Sequence, residues 1–334
     1  MIRPRAGEEG AGLDARISRR DWLGMTAAGA GLGLIGRGVS AAAVADEPLR
    51  AMARKNLRLG IMSGVYAEFP VEEAARRITA DGFLSVVSDF RFADVQFNPL
   101  EPDWDAAKKI VSTLEHAGIE IAGIFGYYNL VDQDPERRKR GAAKMEAILS
   151  HVDRLGCRLV STGTGSFNLQ SEWADAPENR TEEAYVLCRS ALEKHVRTAE
   201  KHGAVVTFEP YYKNVISSIE RAERIFREVP SPALRLVMDP CNYFRKQDLD
   251  RMSPVLDAMF DRLGDRIAIA HAKDVRPTAE GEDLPAAGLG VLDYPLYLRH
   301  LARLDRPLPL VLEHLGESGV SRARDFVVGQ LQRV

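Results

Sequence analysis

From Leu57 onward the chain alternates short apolar runs with longer stretches whose apolar residues recur every three to four positions. The runs are LRLGIMSG (57–64), ADVQFN (93–98), IEIAGIFGYYN (119–129), CRLVSTGTGS (157–166), AVVTFEPYY (204–212), LRLVMDPCNYF (234–244), IAIAHAKDV (267–275) and LPLVLEHL (308–315). Helix-patterned segments follow them, among them VEEAARRITADG (71–82), DWDAAKKIVSTLEHAG (103–118) and TEEAYVLCRSALEKHVRTAEKHG (181–203), each ending at a glycine. Near-continuous apolar runs are the pattern of parallel strands buried on both faces, and a 3.6-residue period is that of amphipathic helices. Eight such strand–helix units predict an α/β fold, a (β/α)8 TIM barrel, over residues 57–334. An open doubly wound sheet is the alternative, and it would spread the strand ends along an edge. Residues 46–56 read as a linker, and no shift in composition divides the rest.

Four of the runs end in a residue able to bind a metal: Glu209, Asp239, His271 and Glu313, separated by 30, 32 and 42 residues. In a barrel the C-terminal ends of all strands meet at one mouth. Three carboxylates and one imidazole gathered there form a divalent-metal site of oxygen-rich character. Any one of these residues alone reads as well as a salt-bridge partner or a turn former. Strand alternation turns Tyr211 with Glu209 and Lys273 with His271 toward the mouth, and turns His314 away. Asn242 falls at the turn after Asp239, and Asn98 at the end of the second run. Lys273 reads either as a donor to substrate or as a salt bridge to Asp274 or Glu209. Loops 166–180 and 275–293 are long enough to wall the site. Trp173 and Tyr294 read equally as surfaces for a sugar ring or as loop packing. GTGS (163–166) reads as a tight turn more than as a phosphate cradle.

Composition narrows the class. Apolar residues make up 45% and charged residues 28% of 334, ordinary for a soluble enzyme, and the net charge is −3. The first 45 residues carry six Arg against four Asp or Glu, so the remainder is more acidic still, near −5. No basic patch supports nucleic-acid binding. Three unevenly spaced cysteines, Cys157, Cys188 and Cys241, form no disulfide framework. Ser18-Arg19-Arg20-Asp21-Trp22-Leu23 resembles a twin-arginine export signal; a weakly apolar Gly24–Ile35 stretch follows, and Ala43-Val44-Ala45 is a small-x-small cleavage pattern. Residues 1–45 are thus expected to be a cleaved signal peptide, leaving a periplasmic protein without a membrane segment.

The pieces FEPYY at Glu209, MDPCN at Asp239, HAKD at His271, GLGVLDY (288–294) and LVLEH at Glu313 resemble the xylose isomerase-like TIM barrels, the sugar phosphate isomerase/epimerase group. That resemblance implies one divalent ion, of the Mn, Mg, Co or Zn kind, held by Glu209, Asp239, His271 and Glu313. It also implies Glu209 and Glu313 as the acid/base pair, acting on a carbohydrate beside its carbonyl through a metal-stabilised enediolate. Lys273, Asn242, Tyr211, Asn98 and Trp173 are the expected substrate contacts. Members often form dimers or tetramers, so a homo-oligomer is expected. Ketose 3-epimerases of the group carry a His where this chain has Asn242, which weakens a simple ketose assignment. A trinuclear site is excluded, because His116, His151, His195, His202 and His300 all fall in helix-like stretches. A lyase or hydrolase of 3-keto-glycosides is the alternative activity, and a non-catalytic sugar-binding protein a third.

Overall fold

The computed structural model describes residues 47–334; the predicted export signal and its cleavage point lie outside the described residues. Seven of the eight apolar runs become barrel strands: β1 Leu57–Met62, β3 Glu120–Phe125, β4 Leu159–Gly163, β5 Val205–Glu209, β6 Leu234–Met238, β7 Ile267–Ala272 and β8 Leu308–Leu312. The eighth does not. Strand β2 is Ser85–Ser88, a four-residue SVVS buried throughout. ADVQFN instead supplies half of a small antiparallel hairpin, Arg91–Phe92 with Val95–Gln96. That hairpin is tied to the outer helices, because Asp94 accepts hydrogen bonds from Val71 N at 2.8 Å and Lys109 Nζ at 2.7 Å. The barrel closes in the order β1-β8-β7-β6-β5-β4-β3-β2, every pair parallel. The open-sheet alternative is thereby excluded.

Around it run α1 Glu47–Asn56, α2 Val71–Ala80, α3 Trp104–His116, α4 Pro135–Leu149, α5 Glu182–His202, α6 Ile219–Glu228, α7 Met252–Leu263, α8 Tyr294–Arg303 and α9 Val320–Leu331. The first corrects an expectation: residues read as a linker form a helix. Ala53 is fully buried, Asn56 Nδ2 donates to Asp305 Oδ1 at 3.2 Å, and Arg50 Nε donates to the Val334 carbonyl at 2.5 Å. The longest helix among the described residues, α5, shows why the periodic segments hold. Thr181 Oγ1 accepts from Ala184 N at its start, with Glu182 and Glu183 in the first turn and Lys201 and His202 in the last. Each end therefore carries the charge that its backbone dipole favours. None of the helices among the described residues is long and apolar enough to cross a membrane.

Two apolar layers set the strand faces. The larger lies between the strands and the helices. The smaller fills the barrel and consists of Val87, Val237, Ile269 and Val311, with Met62 and Leu159 packed against it. Gly123 makes room for that filling, since a Cβ there would stand 2.9 Å from Ile269 Cδ1. Val237, Ile269 and Val311 each lie two residues before a predicted ligand: Asp239, His271 and Glu313. Thr207, two before Glu209, also points inward and shares a 2.7 Å hydrogen bond with Ser161 Oγ. Strand alternation then carries the four ligands onto the same inner face, just above the apolar filling.

Candidate metal centre

The four strand ends converge. One ligand atom from each of Glu209, Asp239, His271 and Glu313 falls within 4.8 Å of the others. His271 Nδ1 is 3.4 Å from Glu209 Oε1, 3.9 Å from Asp239 Oδ2 and 3.3 Å from Glu313 Oε2. Lys273, two residues beyond His271, places Nζ 2.6 Å from Asp239 Oδ2 and 2.8 Å from Glu313 Oε1. It does not pair with Asp274 or Glu209. Asp274 turns the other way, and its carboxylate accepts from Val275 N, Leu292 N and Gly288 N at 2.9 to 3.0 Å. Those three bonds fold loop 275–293 back on itself beside the mouth.

Glu209 is held on both oxygens. Tyr127 Oη donates to Oε2 at 2.5 Å and Asn242 Nδ2 donates to Oε1 at 2.7 Å. Asn242, expected to touch substrate, lines the cavity and donates from its amide to Glu209. Asp239 Oδ1 accepts from Cys241 N at 3.0 Å, which closes the DP turn. Asp239 Oδ2 and Glu313 Oε1 share the single Lys273 ammonium, and His271 Nδ1 has only carboxylate oxygens at 3.3 to 3.9 Å around it, without an aligned hydrogen bond. Buried polar atoms are normally fully paired, so an imidazole nitrogen left in this setting calls for another partner. Three carboxylates against one ammonium leave a deficit that a dication would offset, and hard oxygen donors with one imidazole suit Mg, Mn, Co or Zn. The residues present therefore fit a divalent ion.

Without an ion, protons balance the cluster. Burial pushes the Asp239 carboxyl up to about 8, against Lys273 and with help from Glu313 and Glu209. Burial opposes the charge on His271, but the Glu313 and Glu209 carboxylates hold its imidazole well above the ordinary range. Lys273 is likewise desolvated yet held well above its usual range by Asp239 and Glu313. Burial raises both glutamates, but His271 brings Glu209 below the usual carboxylate range, and Lys273 with His271 brings Glu313 well below it.

Above the cluster opens a cavity of about 430 Å³, within the range of roughly 300–1,000 Å³ usual for ligand sites. Glu209, Glu313, Lys273 and Asn242 form its floor; Met62, Phe125, Tyr127, Trp173, Tyr211, Leu284 and His314 form its walls. One wall is a run of aromatic rings, with centroids 4.5 Å apart for Phe125 and Tyr127, 5.9 Å for Tyr127 and Trp173, and 6.4 Å for Trp173 and Tyr211. Trp173 and Tyr211 thus line the cavity. Asn98 does not: it is exposed on the turn after the 91–96 hairpin, where Oδ1 accepts from Leu100 N at 3.1 Å. Its misplacement follows from reading ADVQFN as a barrel strand. Tyr294 belongs to the core, fully buried in α8, with Oη donating to the Lys273 carbonyl at 2.8 Å. GTGS is a turn filled from within: Gly165 has φ +75°, and Ser166 N donates to Asn129 Oδ1 at 3.0 Å. Sequence reasoning missed Tyr127 and set aside His314. The YYN following the third run was a usable signal for Tyr127, because it closes a strand at the same mouth.

An eight-stranded parallel barrel with a cluster fit for one divalent ion at its C-terminal mouth defines the class. Residues 73–329 match the family of xylose isomerase-like TIM barrels, and the chain belongs to that family. Comparison with curated proteins gives no match. Similar solved structures include a xylose isomerase-like TIM barrel protein from Mycobacterium smegmatis in complex with magnesium, at 15% identity and TM-score 0.61, covering 84% of this chain and 98% of that one. A 3-keto-D-glucoside 4-epimerase from E. coli matches at 18% identity and TM-score 0.62, covering 84% and 100%. D-Psicose 3-epimerase from Clostridium cellulolyticum H10, solved with D-tagatose, matches at 14% and 0.60, covering 83% and 99%. At these identities the likeness shows the fold.

Proposed function

We propose that this chain is a divalent-metal-dependent carbohydrate isomerase or epimerase working by proton transfer beside a carbonyl. The observation that carries this is the pair of carboxylates, Glu209 and Glu313, on either side of His271 at the floor of an open cavity. A bound dication would supply Lewis-acid stabilisation for the oxygen that becomes negative as the carbon acid ionises. Asp239 and His271 would hold it together with the two glutamates. Glu209, gripped by Tyr127 and Asn242, takes the proton from carbon, and Glu313 returns one from the opposite face or to the neighbouring carbon. Solvent then resets both carboxyls. Lys273 keeps Asp239 and Glu313 in place. The 3-keto-glucoside and psicose epimerases noted above support the sugar class by analogy of fold.

A second reading has its own support. The aromatic wall from Phe125 to Tyr211 offers a face for a substituent beyond a single sugar ring. A lyase or hydrolase of 3-keto-glycosides would use the same base, with the resulting anion expelling the neighbouring glycosidic oxygen. Two incubations with Mn²⁺ separate the readings. Deuterium from D₂O entering carbon of a free ketose supports the epimerase, while aglycone release from a 3-keto-glucoside selects the lyase. A protein that binds sugar but does neither is a binding protein. Glu209→Gln and Glu313→Gln are each expected to lower turnover by about 10²-fold or more, as loss of a positioned acid or base does; full activity in either overturns the role assignment.

Export by the twin-arginine route belongs to the same proposal, as does assembly into a homo-oligomer. The amino terminus of the periplasmic form, read by mass spectrometry, should be Asp46, and Arg19→Lys with Arg20→Lys should leave the protein in the cytoplasm.

A further inference from the structure

His314 follows Glu313 at the end of β8, and a regular strand would turn it away from the mouth. It does not continue the strand. Its φ of +56° is one of three positive values among non-glycine residues described, and it swings the side chain back over the cavity. Residues held in this region cost energy and persist where the surroundings impose them, often at binding sites. The imposing contact is visible: Nδ1 lies 2.6 Å from the Leu284 carbonyl, on the loop folded by Asp274. A carbonyl only accepts, so Nδ1 carries the hydrogen. In the neutral ring, Nε2 is then an acceptor.

That second nitrogen has no hydrogen-bond partner among the described residues, and its nearest charged neighbour is Glu313 Oε1 at 4.0 Å. The side chain remains 44% exposed on the cavity wall. We propose that His314 is a substrate-contacting residue, whose Nε2 accepts a hydrogen bond from a hydroxyl of the sugar seated beside Glu313. The inference rests on the carbohydrate reading above and adds a specificity determinant to it. A substrate oxidised to a ketone or deoxygenated at that position leaves Nε2 unmatched, so the site selects sugars that keep the hydroxyl. The strained backbone and the Leu284 link fix the ring before substrate arrives, so little freedom is lost on binding.

The test uses His314→Asn. An asparagine amide reproduces Nδ1, keeps the bond to Leu284 and tolerates positive φ, but has nothing at the Nε2 position. Affinities for D-fructose and for methyl 3-keto-β-D-glucopyranoside are measured on the Mn²⁺-loaded protein, along with Mn²⁺ affinity and hydrogen exchange over residues 275–293. The expected result is affinity for the bound probe weakened roughly five- to tenfold, as loss of one hydrogen bond gives, with Mn²⁺ affinity and exchange unchanged. Unchanged sugar affinity overturns the proposal. So does weakened affinity accompanied by faster exchange of the loop, which makes His314 a structural strut. Nitrogen-15 spectra of the imidazoles decide the geometry without any sugar: the Nδ1–H tautomer of the neutral His314 ring is expected from the Leu284 contact, and the Nε2–H tautomer overturns the proposal. If the unaltered protein binds neither probe, the carbohydrate reading fails, and the tautomer spectrum still judges the residue.

Discussion

Glu209 and Glu313 are chemically the same group in different grips. Both lie beside the His271 ring, at 3.4 and 3.3 Å, but Glu209 also receives neutral donors on both oxygens, Tyr127 and Asn242, whereas Glu313 also faces the Lys273 ammonium. Neutral donors orient a carboxylate without cancelling its charge, which fits the role proposed for Glu209 of accepting a proton from carbon. Tyr127→Phe removes one of these donors while keeping the ring in the aromatic wall. A hydrogen bond to a charged group contributes about 1.5–3 kcal/mol. Turnover is therefore expected to drop by about ten- to a hundredfold, with KM changed little, in a steady-state assay on whichever substrate is turned over. A change confined to KM would mean that Tyr127 touches sugar and does not orient Glu209. His314 shows what a residue list conceals: alternation placed it outside the site, and one backbone angle brings it in.

Among elements, legibility tracked the length of each apolar run. The strands ending in Glu209, Asp239, His271 and Glu313 stood out because each is five or six residues, nearly all apolar, with a chemically unlike residue at its end. SVVS was overlooked because four residues give no period to count. ADVQFN mimicked a strand because a two-residue hairpin arm has the same alternation, and Asn98 was carried along with it. The 47–56 helix was hidden because its segment lies between the expected signal and the first strand. The inner layer under the ligands gives this scale its own prediction. Ile269 fills the space left by Gly123, so Ile269→Ala should open a cavity and cost about 2–5 kcal/mol in denaturant unfolding. Gly123→Ala should also destabilise, by overpacking against the same side chain. A neutral effect of both would show that the layer is loosely packed.

For the molecule as a whole, the cluster ties ion binding, pH and stability together. His271 is held above its ordinary range and Asp239 is raised to about 8 in the ion-free chain. Both folded groups keep protons that the unfolded chain would release. Their contribution to stability is complete at low pH and is lost as pH rises, for Asp239 between its usual range near 3.8 and about 8. Glu209 and Glu313 run the other way, since their lowered values make stability fall as pH drops through the acid range. Ion uptake requires the protons on His271 and Asp239 to leave, so affinity should rise with pH, by about 1.4 kcal/mol per pH unit for each proton displaced. Calorimetry of Mn²⁺ binding in buffers of different ionisation enthalpy counts those protons. A Tm increase on adding Mn²⁺ that is larger at pH 6 than at pH 8 would contradict this linkage.

The hydrocarbon plug of Val87, Val237, Ile269 and Val311 has a kinetic consequence. It blocks the barrel from below, so the cluster communicates with solvent only through the mouth that Trp173, Leu284 and His314 surround. On the proposed reading, the ion would seat before the sugar and depart after it. Chelators should then strip the empty protein quickly and the ligand-saturated protein slowly, with the bound sugar acting as a stopper over the ion.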